Sequence, residues 1–270
     1  GLWTNYTGLF NLSGVSDGGH AIYFYSTDKV GNTETASSFY AVVDNTEPTL
    51  SEVIPNNETA LATSNVQASW TGSDTGSEID HYETKIDSGS YVNKETSTSH
   101  LFSSLSEGSH TVYIKAFDKL GNFREFVASF VVDVSAPTVS IDSPVSNFLT
   151  NSSDMTATWT GADTVSGVDH YEVRLDDESW MNVSTSTTHL LSGTSDGLHK
   201  FWVKAVDKAG NSAVSSVVFV VDTTPPSISM TFPMNGSEAR SSTVRVEWSG
   251  LDAVSGVDHY EVRLLSLIHI

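Results

Sequence analysis

The residues best suited to chemistry in this chain are carboxylates that recur at a fixed interval. Asp44, Asp74 and Asp118 reappear 89 positions on as Asp133, Asp163 and Asp207, and Asp222, Asp252 and Asp258 belong to a third set. Glu47, Glu78, Asp80 and Asn122 accompany the first set, and Asp169 and Asn211 the second. Side-chain oxygens of this kind are hard donors, and calcium takes about six to eight oxygens without demanding strict geometry. Two readings of the acids stand side by side. In one, carboxylates from a link and two loops converge between consecutive modules and hold calcium, with Asp44, Asp74, Asp118, Asp133, Asp163 and Asp207 as the ligands. In the other they are solvated turn acids: Asp-Lys-x-Gly-Asn makes a good hairpin alone, its Asp bonding turn backbone and its Gly accepting positive φ.

Histidine is the second type that invites a catalytic or metal assignment. Eight of the nine histidines keep a common register: His20, His110 and His199; His81, His170 and His259; His100 and His189. A catalytic constellation has no reason to recur in every module, whereas a packing or backbone-tethering role must recur, so the histidines are expected to be structural. There is no His-Glu-x-x-His motif. Glycosidase chemistry needs two carboxylates across one sugar ring. The adjacent acids Asp176 and Asp177 are expected to be a loop pair without counterpart in the preceding repeat, which does not suggest that geometry. The segment is expected not to be an enzyme.

Composition narrows the classes further. The chain has 270 residues, with 13 Lys+Arg against 33 Asp+Glu and a net charge of −20. Such acidity repels phosphate backbones and anionic lipid, so nucleic acid is excluded as a partner. Hydrophobic residues make up 38%, enough to build cores. No apolar run approaches the ~20 residues of a membrane span. Cysteine is absent, which excludes disulfides, thiolate metal sites and cysteine nucleophiles while leaving secretion open.

The same 89-residue period organises the rest of the chain. Trp70, Trp159 and Trp248 keep it, as do Pro48, Pro137 and Pro226, and Asp118-Lys-Leu-Gly-Asn122 returns as Asp207-Lys-Ala-Gly-Asn211. An earlier copy of that turn begins at Asp28. The expected division is a C-terminal half repeat over 1–44, whole repeats over 45–133 and 134–222, and an N-terminal half repeat over 223–264. Residues 256–264 repeat residues 167–175 letter for letter, and Leu-Ser-Leu-Ile-His-Ile follows at 265–270. That hexapeptide resembles one reading frame of the transposase mosaic end used in sequencing libraries. It is expected to be an adapter-derived scar, and the chain an internal piece of a longer protein.

Within a repeat the hydrophobic period is 2. His199, Phe201, Val203 and Ala205 alternate with Lys200, Trp202, Lys204 and Val206, and Tyr171, Val173 and Leu175 with Glu172 and Arg174. These are short strands rich in β-branched and aromatic residues, punctuated by Gly, Asn, Asp and Ser. About seven such strands in one repeat predict a two-sheet sandwich. Trp159, Tyr171-x-Val173, Gly197-x-His199-x-Phe201-x-Val203-x-Ala205, the link Val221-Asp-Thr-Thr-Pro-Pro226 and the Asp-Lys-x-Gly-Asn turn together resemble a fibronectin type III or bacterial Ig-like module of extracellular surface proteins. The resemblance implies an all-β chain of tandem Ig-like/fibronectin type III-like β-sandwiches, two complete repeats flanked by two half repeats. Where fibronectin-like modules place a corner tyrosine, this chain has His20, His110 and His199. An imidazole N–H is expected to make the same bond to upstream backbone.

Modules in series with short proline-containing links behave as beads on a semi-rigid rod. The expected function is a structural or adhesive stalk of a secreted or cell-surface protein, presenting a distal binding region to a cell-surface or extracellular protein or glycan. The alternative is a non-catalytic spacer, or carbohydrate-binding repeats, within a large extracellular hydrolase. Calcium is the candidate cofactor, and no obligate oligomer is predicted. Sequons begin at Asn5, Asn11, Asn57, Asn151, Asn182 and Asn235. Trp3, Tyr91 and Trp180 share an aromatic-x-Asn pattern, suited either to stacking on sugar or to closing a sandwich edge. Both half repeats are expected to present unpaired edges.

Overall fold

The computed structural model describes residues 3–8 and 14–265. Asn11, His269 and the tail from Ser266 onward lie outside the described residues. The chain forms two units, Gly1–Val134 and Ser135–Ile270. Among the described residues all regular structure is strand, and no helix is long and apolar enough to cross a membrane.

The first unit opens with a hairpin, β1 (Gly18–Phe24) and β2 (Ser37–Val43), in which Ile22 lies opposite Phe39. A sandwich follows: β3 (Thr49–Ile54), β4 (Thr59–Leu61), β5 (Val66–Ser73), β6 (Ile79–Ile86), β7 (Val92–Asn93), β8 (Ser99–Phe102), β9 (Gly108–Asp118) and β10 (Phe123–Val132). One sheet has the order β3-β5-β8 and the other β4-β10-β9-β6-β7. Alternation makes the core. On β9, His110, Val112, Ile114, Ala116 and Asp118 turn inward, while Thr111, Tyr113, Lys115 and Phe117 turn out. Trp70 on β5, 2% exposed, packs edge-on to Tyr82 with ring centres 5.7 Å apart, and Val66, Phe102, Phe130 and Val132 join them. Each large side chain so buried contributes about 1.5–3 kcal/mol.

Eight strands form where the sequence pattern predicts about seven. The first strand divides: β3 pairs antiparallel with β5, whereas β4 pairs parallel with β10 in the opposite sheet. Pro55, between them, has no N–H with which to continue a ladder, so the chain changes sheet there. Gly72 has a separate steric reason. A Cβ there would meet the Tyr82 hydroxyl at 2.5 Å, and the bare backbone lets that hydroxyl donate to the Gly72 carbonyl at 3.3 Å.

The second unit repeats the pattern with β11 (Thr138–Ser143), β12 (Phe148–Thr150), β13 (Met155–Ala162), β14 (Val168–Leu175), β15 (Met181–Asn182), β16 (Thr188–Leu191), β17 (Gly197–Asp207) and β18 (Ser212–Val221). Its sheets run β11-β13-β16 and β12-β18-β17-β14-β15, and Trp159, 1% exposed, packs with Tyr171, Phe201 and Phe219. A short pair, β19 (Ser227–Phe232) and β20 (Glu247–Leu251), ends the unit's strands. β1 pairs with β2 alone and β19 with β20 alone among the described residues. Their apolar side chains Phe24, Phe39, Tyr40, Ile228 and Met230 are exposed.

Candidate metal centre

The first carboxylate triad is assembled inside the first unit. Asp44 follows the end of β2, Asp74 sits in the β5–β6 loop, and Asp118 ends β9 where its hairpin to β10 begins. Antiparallel pairing of β6 with β9 sets Ile79 opposite Asp118, so the loop before β6 and the turn after β9 share one end of the sandwich. One carboxylate oxygen from each of Asp44, Asp74 and Asp118 lies within 4.8 Å of the other two. Asp44 is 7% exposed and Asp118 2%, while Asp74 is half-buried.

Each acid also bonds backbone of its own turn, although Asp44 and Asp118 are buried rather than solvated. Asp74 Oδ1 accepts the N–H groups of Gly76, Ser77 and Glu78 at 2.9, 2.8 and 3.0 Å. Asp118 Oδ1 accepts those of Leu120 and Asn122, both at 2.9 Å, and its Oδ2 accepts Asn122 Nδ2 at 2.7 Å. Burial would raise the Asp118 pKa, but the Asn122 amide and the turn N–H groups outweigh it and hold the carboxyl below its ordinary value. Asp44 Oδ1 accepts Thr46 N–H at 3.0 Å. Its Oδ2 is buried without a hydrogen-bond partner. Among the described residues no ion pair involves Asp44, Asp74 or Asp118; neighbouring Lys119 instead pairs with Glu78 at 2.5 Å. Gly76 permits the close approach, since a Cβ there would fall 2.4 Å from the Asp44 carboxylate.

Of the second set, Asp133 lies in the first unit, fully buried, and its N–H donates to Leu61 O at 3.0 Å. Asp163 and Asp207 lie in the second unit and reproduce the turns. Asp163 Oδ1 accepts Val165, Ser166 and Gly167 N–H, and Asp207 binds Ala209 N–H with Oδ1 and the Asn211 amide with Oδ2. In the third copy Asp252 caps the same turn, and Asp222 Oδ2 takes Ser255 N–H at 3.0 Å.

One recurring set of histidines forms backbone tethers. His20, His110 and His199 each place Nε2 at 2.8 Å from a carbonyl four residues upstream, on Ser16, Ser106 and Ser195, which is the bond expected of a tyrosine substitute. A partner was missed in the sequence. Asp176 does have a counterpart 89 residues earlier, Asp87; only Asp177, aligned with Ser88, lacks an acidic one. Asp87 Oδ2 faces His110 Nδ1 at 2.7 Å while its Oδ1 accepts Thr111 N–H, and Asp176 does the same for His199 and Lys200 N–H. With an acceptor opposite both nitrogens, the His110 ring satisfies both only when doubly protonated. Burial would lower its pKa, but the Ser106 carbonyl and the Asp87 carboxylate outweigh burial and raise it. The 89-residue register was the signal that would have paired Asp87 with Asp176.

His81 stacks on Phe117 with centres 4.6 Å apart, and its Nδ1 bonds Asp80, as His170 bonds Asp169. The rings considered for sugar stacking are engaged as well. Tyr91 lies under Lys85 and Lys115, Trp180 under Arg174 and Lys204, and Trp3 meets Tyr25 edge-on. Cations thus lie over the rings of both Tyr91 and Trp180.

The family model for the bacterial Ig-like domain (group 3) matches residues 4–80, a span that runs from the β1–β2 hairpin across the link into the sandwich. Chitinase A1 of Niallia circulans is 30% identical over 203 residues, covering 69% of this chain and 28% of that protein. The chain thus spans under a third of the curated relative it matches. Among solved structures, the fibronectin(III)-like modules of Clostridium thermocellum CbhA are 18% identical with a TM-score of 0.45, covering 64% of this chain and 93% of theirs. A tetra-tandem repeat from the extending region of a large adhesion protein is 19% identical with a TM-score of 0.31, covering 89% and 65%.

Proposed function

From the premise that the chain is a series of Ig-like, fibronectin type III-like modules, we propose that it is a spacing segment of a secreted or cell-surface protein, a stalk that presents a distal binding region. The observation that carries this is the use made of the recurring polar residues. Asp74, Asp118, Asp163, Asp207, His110 and His199 all bond the backbone of their own module. Side chains spent on shape in every copy suit a protein whose product is a repeated, self-supporting unit. The match of residues 4–80 to the bacterial Ig-like domain supports an extracellular setting.

A second reading is favoured by the 30% identity with a chitinase: the modules are non-catalytic spacers, or carbohydrate-binding repeats, within a large extracellular hydrolase. Reading the coding DNA on both sides with a method free of transposase adapters separates the two. Further 89-residue units leading to an anchoring segment support the stalk, and an adjoining catalytic domain supports the hydrolase spacer. A glycan array probed with the full chain tests carbohydrate binding directly. A signal lost in Trp180→Ala would favour it, and a blank array would count against it.

A further inference from the structure

We propose that Asp44, Asp74 and Asp118 hold a calcium ion at the joint between the β1–β2 hairpin and the β3–β10 sandwich. The inference is independent of what the segment spaces or presents. Two observations carry it together. The first is convergence, with one oxygen from each carboxylate within 4.8 Å of the others, contributed by the link, the β5–β6 loop and the β9–β10 turn. The second is the Oδ2 atom of Asp44, an orphaned carboxylate oxygen in a residue 7% exposed. Turn-making explains the Oδ1 atoms of all three acids. It does not explain why a second oxygen of Asp44 is taken out of water with no hydrogen-bond partner, on a residue whose carboxylate converges with two others. A buried polar atom left so is costly, and like charges drawn together add to the cost. A cation removes both.

The donor set selects the ion. All three ligands are carboxylate oxygens, with neither sulfur nor imidazole in the cluster, which suits a hard cation rather than zinc or copper. The ligands come from three irregular segments, and calcium tolerates irregular placement where magnesium requires near-ideal octahedral geometry. Bonds from Oδ1 to backbone N–H on each acid fix the carboxylates in advance, so little side-chain freedom remains to be lost on binding. Occupied, the joint ties the end of β2 to two loops of the next sandwich.

The test is calorimetric titration of the full chain with calcium chloride in chelator-stripped buffer, over the ~10⁻⁴–10⁻³ M dissociation range of extracellular sites. Asp44→Asn is the main variant, because asparagine keeps the Oδ1 acceptor for Thr46 while removing the charge. The expected result is that it binds one calcium fewer than the parent, while Asp80→Asn, an acid outside the cluster, binds as many. A melting readout keeps folding separate. In chelator Asp44→Asn is expected to melt no lower than the parent, since like-charge crowding is relieved, whereas saturating calcium raises the parent's first transition by about 10 °C and the variant's not at all. Equal stoichiometry in parent and Asp44→Asn, superimposable parent curves in calcium and chelator, or tighter binding of magnesium than of calcium would each overturn the proposal.

Discussion

Asn122 Nδ2 donates to the carbonyl oxygen of Asp44 at 3.0 Å, across 78 positions of sequence. The same amide group donates to Asp118 Oδ2 at 2.7 Å, so one side chain fastens the β9–β10 turn to the residue that leaves the preceding hairpin. Asn122→Ala removes both bonds. The expected loss is about 1–3 kcal/mol in denaturant unfolding of the first unit. Faster amide exchange at Asn45 and Thr46 than in the parent is expected alongside; unchanged exchange there would show that the link is held by other groups.

Gly76→Ala tests the close approach of the β5–β6 loop. Its new Cβ would stand 2.4 Å from the Asp44 carboxylate, so the loop or the link must shift. The expected cost is about 1–3 kcal/mol, with weakened calcium binding if the triad is a site. Stability equal to the parent would mean that the loop retreats freely.

The histidine corner gives a pH dependence with a definite sign. The His110 pKa is raised above its ordinary value by the Ser106 carbonyl and Asp87, against the opposing effect of burial. A raised histidine contributes stability that is fully present below its unfolded pKa, about 6.5, and lost as pH rises through its higher folded pKa. The first unit is therefore expected to weaken as pH rises through and above that value. In His110→Tyr, where a phenol can reach the Ser106 carbonyl without titrating in this window, that component of the slope disappears. Parallel profiles for parent and variant would contradict the charged imidazole.

Asp176 and Asp177 are adjacent in sequence and unlike in role. Asp176 holds His199 Nδ1 at 2.8 Å and Lys200 N–H at 2.7 Å. Asp176→Ala is expected to cost about 1–3 kcal/mol in the second unit, and Asp177→Ala to stay within about 0.5 kcal/mol of the parent. Thermal or denaturant melts of the two variants decide it; equal effects would remove Asp176 from the corner.

Much of the fold is legible in the residues because strand alternation has a period of 2, and an 89-residue register shows which positions share a role. Trp70 and Trp159 at the two cores, the Asp-x-x-Gly-Asn turns and the upstream bond of His110 and His199 all follow from local spacing, which backbone geometry obeys whatever the rest of the chain does. The division of the first strand between two sheets is harder to foresee. Pro55 marks a break, but which sheet β4 joins depends on its pairing with β10, some 70 residues away.

The sequence by itself determined the strand period, the repeat, the acidic loops and the histidines' tethering role, because each rests on residue type and short-range spacing. Only the tertiary structure decided which oxygens face one another. Asp87 meets His110 because the register of β6 with β9 brings Ile86 opposite Val112, a relation between strands that no local pattern encodes. The orphaned Oδ2 of Asp44 is likewise a product of packing: a carboxylate has two oxygens, local turns claim one, and the fold alone settles what surrounds the other.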